Sequence, residues 1–149
     1  DALHFACHGW LDPKLPLSSG LILSQPEALG NSEQDNGLLQ AWEIFKLRLH
    51  ADLVVLSACQ TGLGTEIKGE GLIGLTRAFT YAGAKSVLVS LWEINDKSTA
   101  EFMTAFYQAL KEGKSKDVAL QQAIKKLSRH GKWRHPFFWS AFSLVGDWQ

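Results

Sequence analysis

The sequence predicts an α/β fold in which helices pack over a mainly parallel sheet. Three observations carry that expectation. Leu53-Val54-Val55-Leu56 is an unbroken apolar, β-branched run, which suits a strand covered on both faces by crossover helices. Ser86 to Leu91 repeats the pattern further on. Around these runs the chain alternates strand, helix, strand, helix, helix, strand, the order of a layered α/β sandwich, and no internal repeat competes with it.

Taken in order, Leu3 to Ala6 reads as a short strand ended by Cys7-His8-Gly9. The chain starts almost inside that strand, which suggests the C-terminal portion of a larger domain. Such a piece would expose a sheet edge or an apolar face. Residues 10–37 hold three of the four prolines among serines, asparagines and glycines, so they read as irregular loop with a hairpin strand at Leu21-Ile22-Leu23. Leu38 to Leu49 carries apolar residues at helical spacing and leads into the Leu53 strand, at whose end Cys59 sits. Gly62 to Gly71 reads as a glycine-rich loop, followed by a helix with Leu72, Leu75, Phe79 and Ala82 on one face and Gly83 at its close. After the Ser86 strand, Asn95 or Asp96 caps a helix running to about Lys111, with Phe102, Phe106 and Leu110 inward and Gly113 closing it. Ser115 or Asp117 opens another, with Leu120, Ala123, Ile124 and Leu127 inward. His135-Pro136 interrupts the pattern, and Trp139 to Val145 supplies the last strand.

At 149 residues the chain is long enough for one domain with a real core. Lys plus Arg equals Asp plus Glu at 15 each, so no broad attraction to nucleic acid or to an anionic membrane is expected; the basic segment Lys125 to Arg134 is the local exception. Two cysteines make no disulfide framework, and nothing reads as a signal peptide or a membrane-spanning run, so the cytoplasm is the expected compartment.

If the strands are parallel, their carboxyl ends share one rim, where ligands bind in open α/β sheets. His8 follows the first strand, Cys59 the second and Asp96 the third. A thiol is a useful nucleophile only as thiolate, and a neighbouring imidazole is a common means of producing it. His8 lies 51 residues before Cys59 (59 − 8), close to the roughly 50-residue separation of histidine and cysteine in caspases. The backbone amides of Gly9 and Cys59 are placed to hold an oxyanion, and an acidic Asp96 in the same crevice would favour a basic residue on the acyl side of the scissile bond. Bland readings stand beside these. Cys59 alone would be a small buried residue, and His8 alone a structural histidine. Cys7 and His4 read as packing, Asp96 doubles as a helix cap, and Glu93 is a solvated loop residue or a second acidic wall. Gly69 to Gly74 spells G-x-G-x-x-G, but it does not directly follow a strand, which argues against a dinucleotide cradle. A zinc site from Cys7, His8 and Cys59 lacks a fourth ligand. Trp92 and Trp139 read as core residues in strands.

Six blocks in one order extend over nearly the whole chain: His4-Phe5-Ala6-Cys7-His8-Gly9, Leu53 to Gly62, Gly69-Glu70-Gly71, Ala78 to Ala84, Leu91 to Asp96, and His135-Pro136-Phe137-Phe138-Trp139. Together they resemble the CHAT domain, a caspase-like domain often attached to tetratricopeptide repeats. The resemblance implies a three-layer α/β caspase-like sandwich lacking the N-terminal strands of the full domain, with residues 1–149 as its C-terminal portion. It also implies a cysteine endopeptidase with His8 as base and Cys59 as nucleophile, and a pocket at Asp96, with Glu93 near it, for a basic side chain. Peptide or protein would be the substrate and a tetratricopeptide-repeat region the neighbour in the parent protein. No cofactor or metal is needed, and neither nucleic acid nor membrane is a direct partner. The alternative function is a catalytically idle scaffold or signalling module of the same fold.

Overall fold

The computed structural model describes residues 1–12, 14–24, 36–57, 59–60 and 68–149, with residues 59, 60 and 68–70 described in their backbone. In chain order, β1 covers Ala2–Phe5, β2 His8–Trp10, β3 Gly20–Ile22 and β4 Leu38–Gln40. The short helix α1 (Ala41–Ile44) precedes β5 (Leu53–Leu56), β6 (Cys59–Gln60) and α2 (Lys68–Tyr81). Then come β7 (Ser86–Ser90), α3 (Asp96–Lys111), α4 (Lys116–Arg129) and β8 (Phe142–Gly146).

The larger sheet has the order β1-β5-β7-β8, with β1, β5 and β7 parallel and β8 antiparallel. Every residue of β5 and β7 is buried, as strands covered on both faces must be. Alternation along the strands sorts their side chains into two cores. Leu53, Val55 and Leu88 pack with Phe102 and Phe106 of α3 and with Ala123 and Leu127 of α4. Val54, Leu56, Val87 and Val89 pack with Ala41 and Ile44 of α1 and with Leu75 and Phe79 of α2. The result is the expected three-layer α/β sandwich with a mainly parallel sheet. Phe102 stacks on Phe142 with ring centroids 3.7 Å apart, which ties α3 to β8. At the end of α2, Gly83 has φ +111° and lies so close to the Leu49 carbonyl that a Cβ would fall 2.2 Å from its oxygen. Only glycine meets both demands.

A smaller sheet of order β4-β3-β2-β6 corrects two expectations. Cys7-His8-Gly9 does not end the first strand; the chain bends at Ala6 and Cys7 and pairs again as β2, antiparallel to the expected hairpin strand β3. The helix expected over 38–49 is instead a strand and one helical turn. Leu38–Gln40 pairs with Gly20–Ile22, and Gln40 then caps α1, its N–H donating to Glu43 Oε2 at 2.8 Å. Apolar spacing over so few residues does not separate the two.

Other differences are smaller. Residues 61–67 of the expected glycine-rich loop lie outside the described residues, while Gly69, Gly71 and Gly74 belong to α2. The G-x-G-x-x-G run therefore sits within helix. Trp92 and Trp139 occupy connections rather than strands, partly buried against the α3–α4 core. The last strand starts at Phe142, because Pro136–Phe138 forms a 3-10 turn, capped by His135 Nδ1, which accepts from Phe137 N–H at 3.2 Å. No described helix is long and apolar enough to cross a membrane.

Candidate functional site

β1 and β5 pair in parallel from Ala2↔Leu53 to Phe5↔Leu56, and β2 and β6 pair in parallel at His8↔Cys59 and Gly9↔Gln60. The offset is 51 residues at both ends (53 − 2 and 60 − 9). The last pair of the larger sheet, Phe5↔Leu56, and the first of the smaller one, His8↔Cys59, keep the same register. The 51-residue spacing seen in the sequence is therefore the register of a parallel pair that survives the split between two sheets. It sets His8 and Cys59 side by side on neighbouring strands.

His8 is exposed and borders a cavity of about 480 Å³. β1 and β3 supply His4 and Ile22 to its wall, the bend between β1 and β2 supplies Ala6 and Cys7, and Ser57 comes from just after β5. The opposite wall is one face of α3: Asp96, Thr99, Ala100 and Met103, at i, i+3, i+4 and i+7. Asp96 is thus brought into the same cavity as His8. It is not the helix cap, because Asn95 takes that role and its side chain accepts from Lys97 N–H at 3.0 Å. The approach to α3 is fixed from behind. Ile94 is buried, Ser90 Oγ–H donates to the Trp92 carbonyl at 2.7 Å, and Trp92 Nε1–H donates to the Phe137 carbonyl at 3.0 Å. Two of the sequence blocks, Leu91 to Asp96 and His135 to Trp139, are held against each other by that bond.

The remaining candidates fall as follows. Glu93 is exposed on the connection before α3 and is not among the residues described as lining the cavity. Gly9 is buried in β2 between Leu21 of β3 and Gln60 of β6. The side chain of Cys59 lies outside the described residues. Cys7 is partly buried against the α1–α2 core, as expected for a packing residue, and burial pushes its thiol pKa up, away from reactivity. Among the described residues no three of His, Cys, Asp and Glu are grouped as a metal ion would require.

His4 is more than packing. Its Nε2 lies 2.8 Å from Ser57 Oγ, and its Nδ1 lies 3.1 Å from the hydroxyl of Tyr107 on α3. Partial burial disfavours the charged ring and lowers its pKa. Sequence reasoning missed this cluster and the Thr99–Met103 wall. The stripe at i, i+3, i+4 and i+7 from Asp96 was the available signal, and its mixed chemistry hid it.

Comparison with known proteins bears on the whole chain. The family model described as the CHAT domain matches residues 1–147. The chain belongs to the CHAT domain family. This CHAT domain is 39% identical over 110 residues to tetratricopeptide repeat protein 28 of Mus musculus and 38% identical to that of Homo sapiens; the match takes in 74% of this chain and 4% of each relative. The chain therefore spans a small fraction of the curated relatives' length. The family is caspase-like, in keeping with the three-layer fold.

One consequence concerns pH. Because the His4 pKa is lowered in the folded CHAT domain, the stability this ring contributes is complete above its ordinary value of about 6.5 and is lost as pH falls through the lowered folded value. Thermal melts from pH 7 to pH 5 should show a falling midpoint for the wild type and a smaller fall for His4→Gln. Parallel curves for the two proteins would contradict this.

Proposed function

We propose that this CHAT domain is a cysteine endopeptidase that cleaves peptide bonds after a basic residue. The observation that supports it best is the shared register of β2 and β6, which makes His8 and Cys59 neighbours just beyond the carboxyl ends of β1 and β5, beside a cavity lined by Asp96. In the proposed mechanism His8 takes the proton of Cys59, and the thiolate attacks the peptide carbonyl carbon. Main-chain N–H groups hold the negative charge that develops on the carbonyl oxygen, the amide of Cys59 first, with the side-chain-free Gly9 beside it leaving room for close approach. His8 returns the proton to the leaving amine, and water then hydrolyses the thioester. The step balances with water as co-reactant, and no cofactor is invoked.

Asp96 is the proposed anchor for the basic side chain. An arginine or lysine entering between β1 and α3 would pass Met103 and Ala100, which suit its methylene stem, and place its charge beside the carboxylate. Glu93, outside that wall, is assigned at most a long-range attraction. We further propose that residues 1–149 work as one unit, in the cytoplasm, within a parent that carries tetratricopeptide repeats. The names of the two relatives support that last point.

In the full-length parent protein, Cys59→Ala should abolish cleavage of arginyl and lysyl peptides, followed by release of a fluorogenic leaving group. Undiminished turnover would remove the thiol mechanism. Asp96→Ala should lower kcat/KM for basic peptides by about tenfold to a hundredfold, the range expected for one lost charge-assisted pair. Peptides with an uncharged residue at the same position should be affected little. An equal loss for both kinds would assign Asp96 to folding rather than to selection.

A further inference from the structure

Between the cavity and the sheet lies a chain of hydrogen bonds that the proposed reaction does not use. Tyr107, on α3, reaches Nδ1 of His4 at 3.1 Å; Nε2 of His4 reaches Ser57 Oγ at 2.8 Å; Ser57 Oγ–H is directed at the Phe5 carbonyl, 3.5 Å away. The same carbonyl accepts the Ser57 N–H at 3.2 Å. One set of proton positions satisfies all three side chains: Tyr107 donates to Nδ1, Nε2–H donates to Ser57, and Ser57 donates to Phe5. In that arrangement His4 is neutral and gives its proton to Ser57, so it does not act as a base toward that hydroxyl.

The place of the chain in the fold is what matters. His4 is on β1, four residues before His8. Ser57 is two residues before Cys59, at the point where β5 leaves the larger sheet for β6. Tyr107 is on the helix whose first turn carries Asp96, eleven residues along the same stripe. A single imidazole thus joins the strand that leads to His8, the strand that leads to Cys59 and the helix that leads to Asp96. It does so at the split between the sheets, between the Phe5↔Leu56 and His8↔Cys59 pairs.

We propose that His4, held between Ser57 and Tyr107, is a positioning residue for the thiol chemistry: it locks the two strand ends and α3 in the relation that aligns His8, Cys59 and Asp96. This rests on the cysteine-peptidase reading above. It predicts that losing one hydroxyl affects the chemical step more than substrate affinity, since a displacement of about 1 Å is enough to cost up to a hundredfold in rate.

The test uses Ser57→Ala, Tyr107→Phe and the hydroxyl-keeping Ser57→Thr in the full-length protein, each checked for folding by circular dichroism. Two readouts are taken: kcat and KM on an arginyl peptide, and the rate at which iodoacetamide alkylates Cys59 at neutral pH, read by peptide mass spectrometry. Tyr107→Phe and Ser57→Ala should lower kcat by about tenfold or more with KM within about twofold, and slow alkylation in step, while Ser57→Thr keeps most of both. If wild-type Cys59 is reactive and both hydroxyl-less variants match it in kcat and alkylation, the chain is only structural and the proposal is overturned. If wild-type Cys59 reacts no faster than in urea and no peptide is cleaved, the peptidase reading falls and the positioning role with it. Tyr107→Phe removes one oxygen from a partly exposed side chain, so it decides the matter even if a Ser57 variant fails to fold.

Discussion

The parallel register between the first pair of strands is the constraint on which the rest depends. It holds at 51 residues from Ala2↔Leu53 to Gly9↔Gln60, across the junction of the two sheets. One residue more on either strand there would shift His8 away from Cys59. The junction between the two sheets lies between the Phe5↔Leu56 and His8↔Cys59 pairs. What bridges it among the described residues is local: Ser57 N–H on the Phe5 carbonyl, and the imidazole of His4 on the Ser57 hydroxyl. The larger sheet supplies rigidity and the smaller one carries the candidate chemistry.

The layering explains how a third chain segment reaches the same place. α3 is anchored by its apolar face, Phe102 and Phe106 in the core and Phe102 stacked on Phe142, while its Asp96–Met103 stripe is left to form the cavity wall. One helix therefore has a packing face and a site face. Its N-terminus is set by the Asn95 cap and the buried Ile94, so the carboxylate next to the cap is free of capping duty. Substitutions on the packing face would move the site without touching it.

Much of this was legible in the sequence, and the exceptions have a common cause. β5, β7, α3 and α4 announce themselves because apolar runs and 3.6-residue periods extend over enough positions to be unambiguous. β2, β4 and β6 are two or three residues long, too short to repeat either period, and they exist because neighbours pair with them. The helix expected over Leu38 to Leu49 failed for that reason. His8 and Cys59 were found by spacing, but the sequence did not say that the spacing is a strand register. The sequence left Asp96 divided between two roles, and the structure gives the cap to Asn95. The His4–Ser57–Tyr107 chain joins residues 53 and 103 positions from His4, and nothing local marks such a contact.

Peptidase chemistry in this domain requires that the imidazole of His8 activate the sulfur of Cys59. The direct measurement is the alkylation rate of Cys59 near neutral pH in the wild type and in His8→Ala, with both proteins shown to be folded. A thiolate sustained by its neighbour should react at least about tenfold faster in the wild type than in the variant. Equal rates would mean that two residues paired in the sheet share no proton, and the proposed chemistry would go with them.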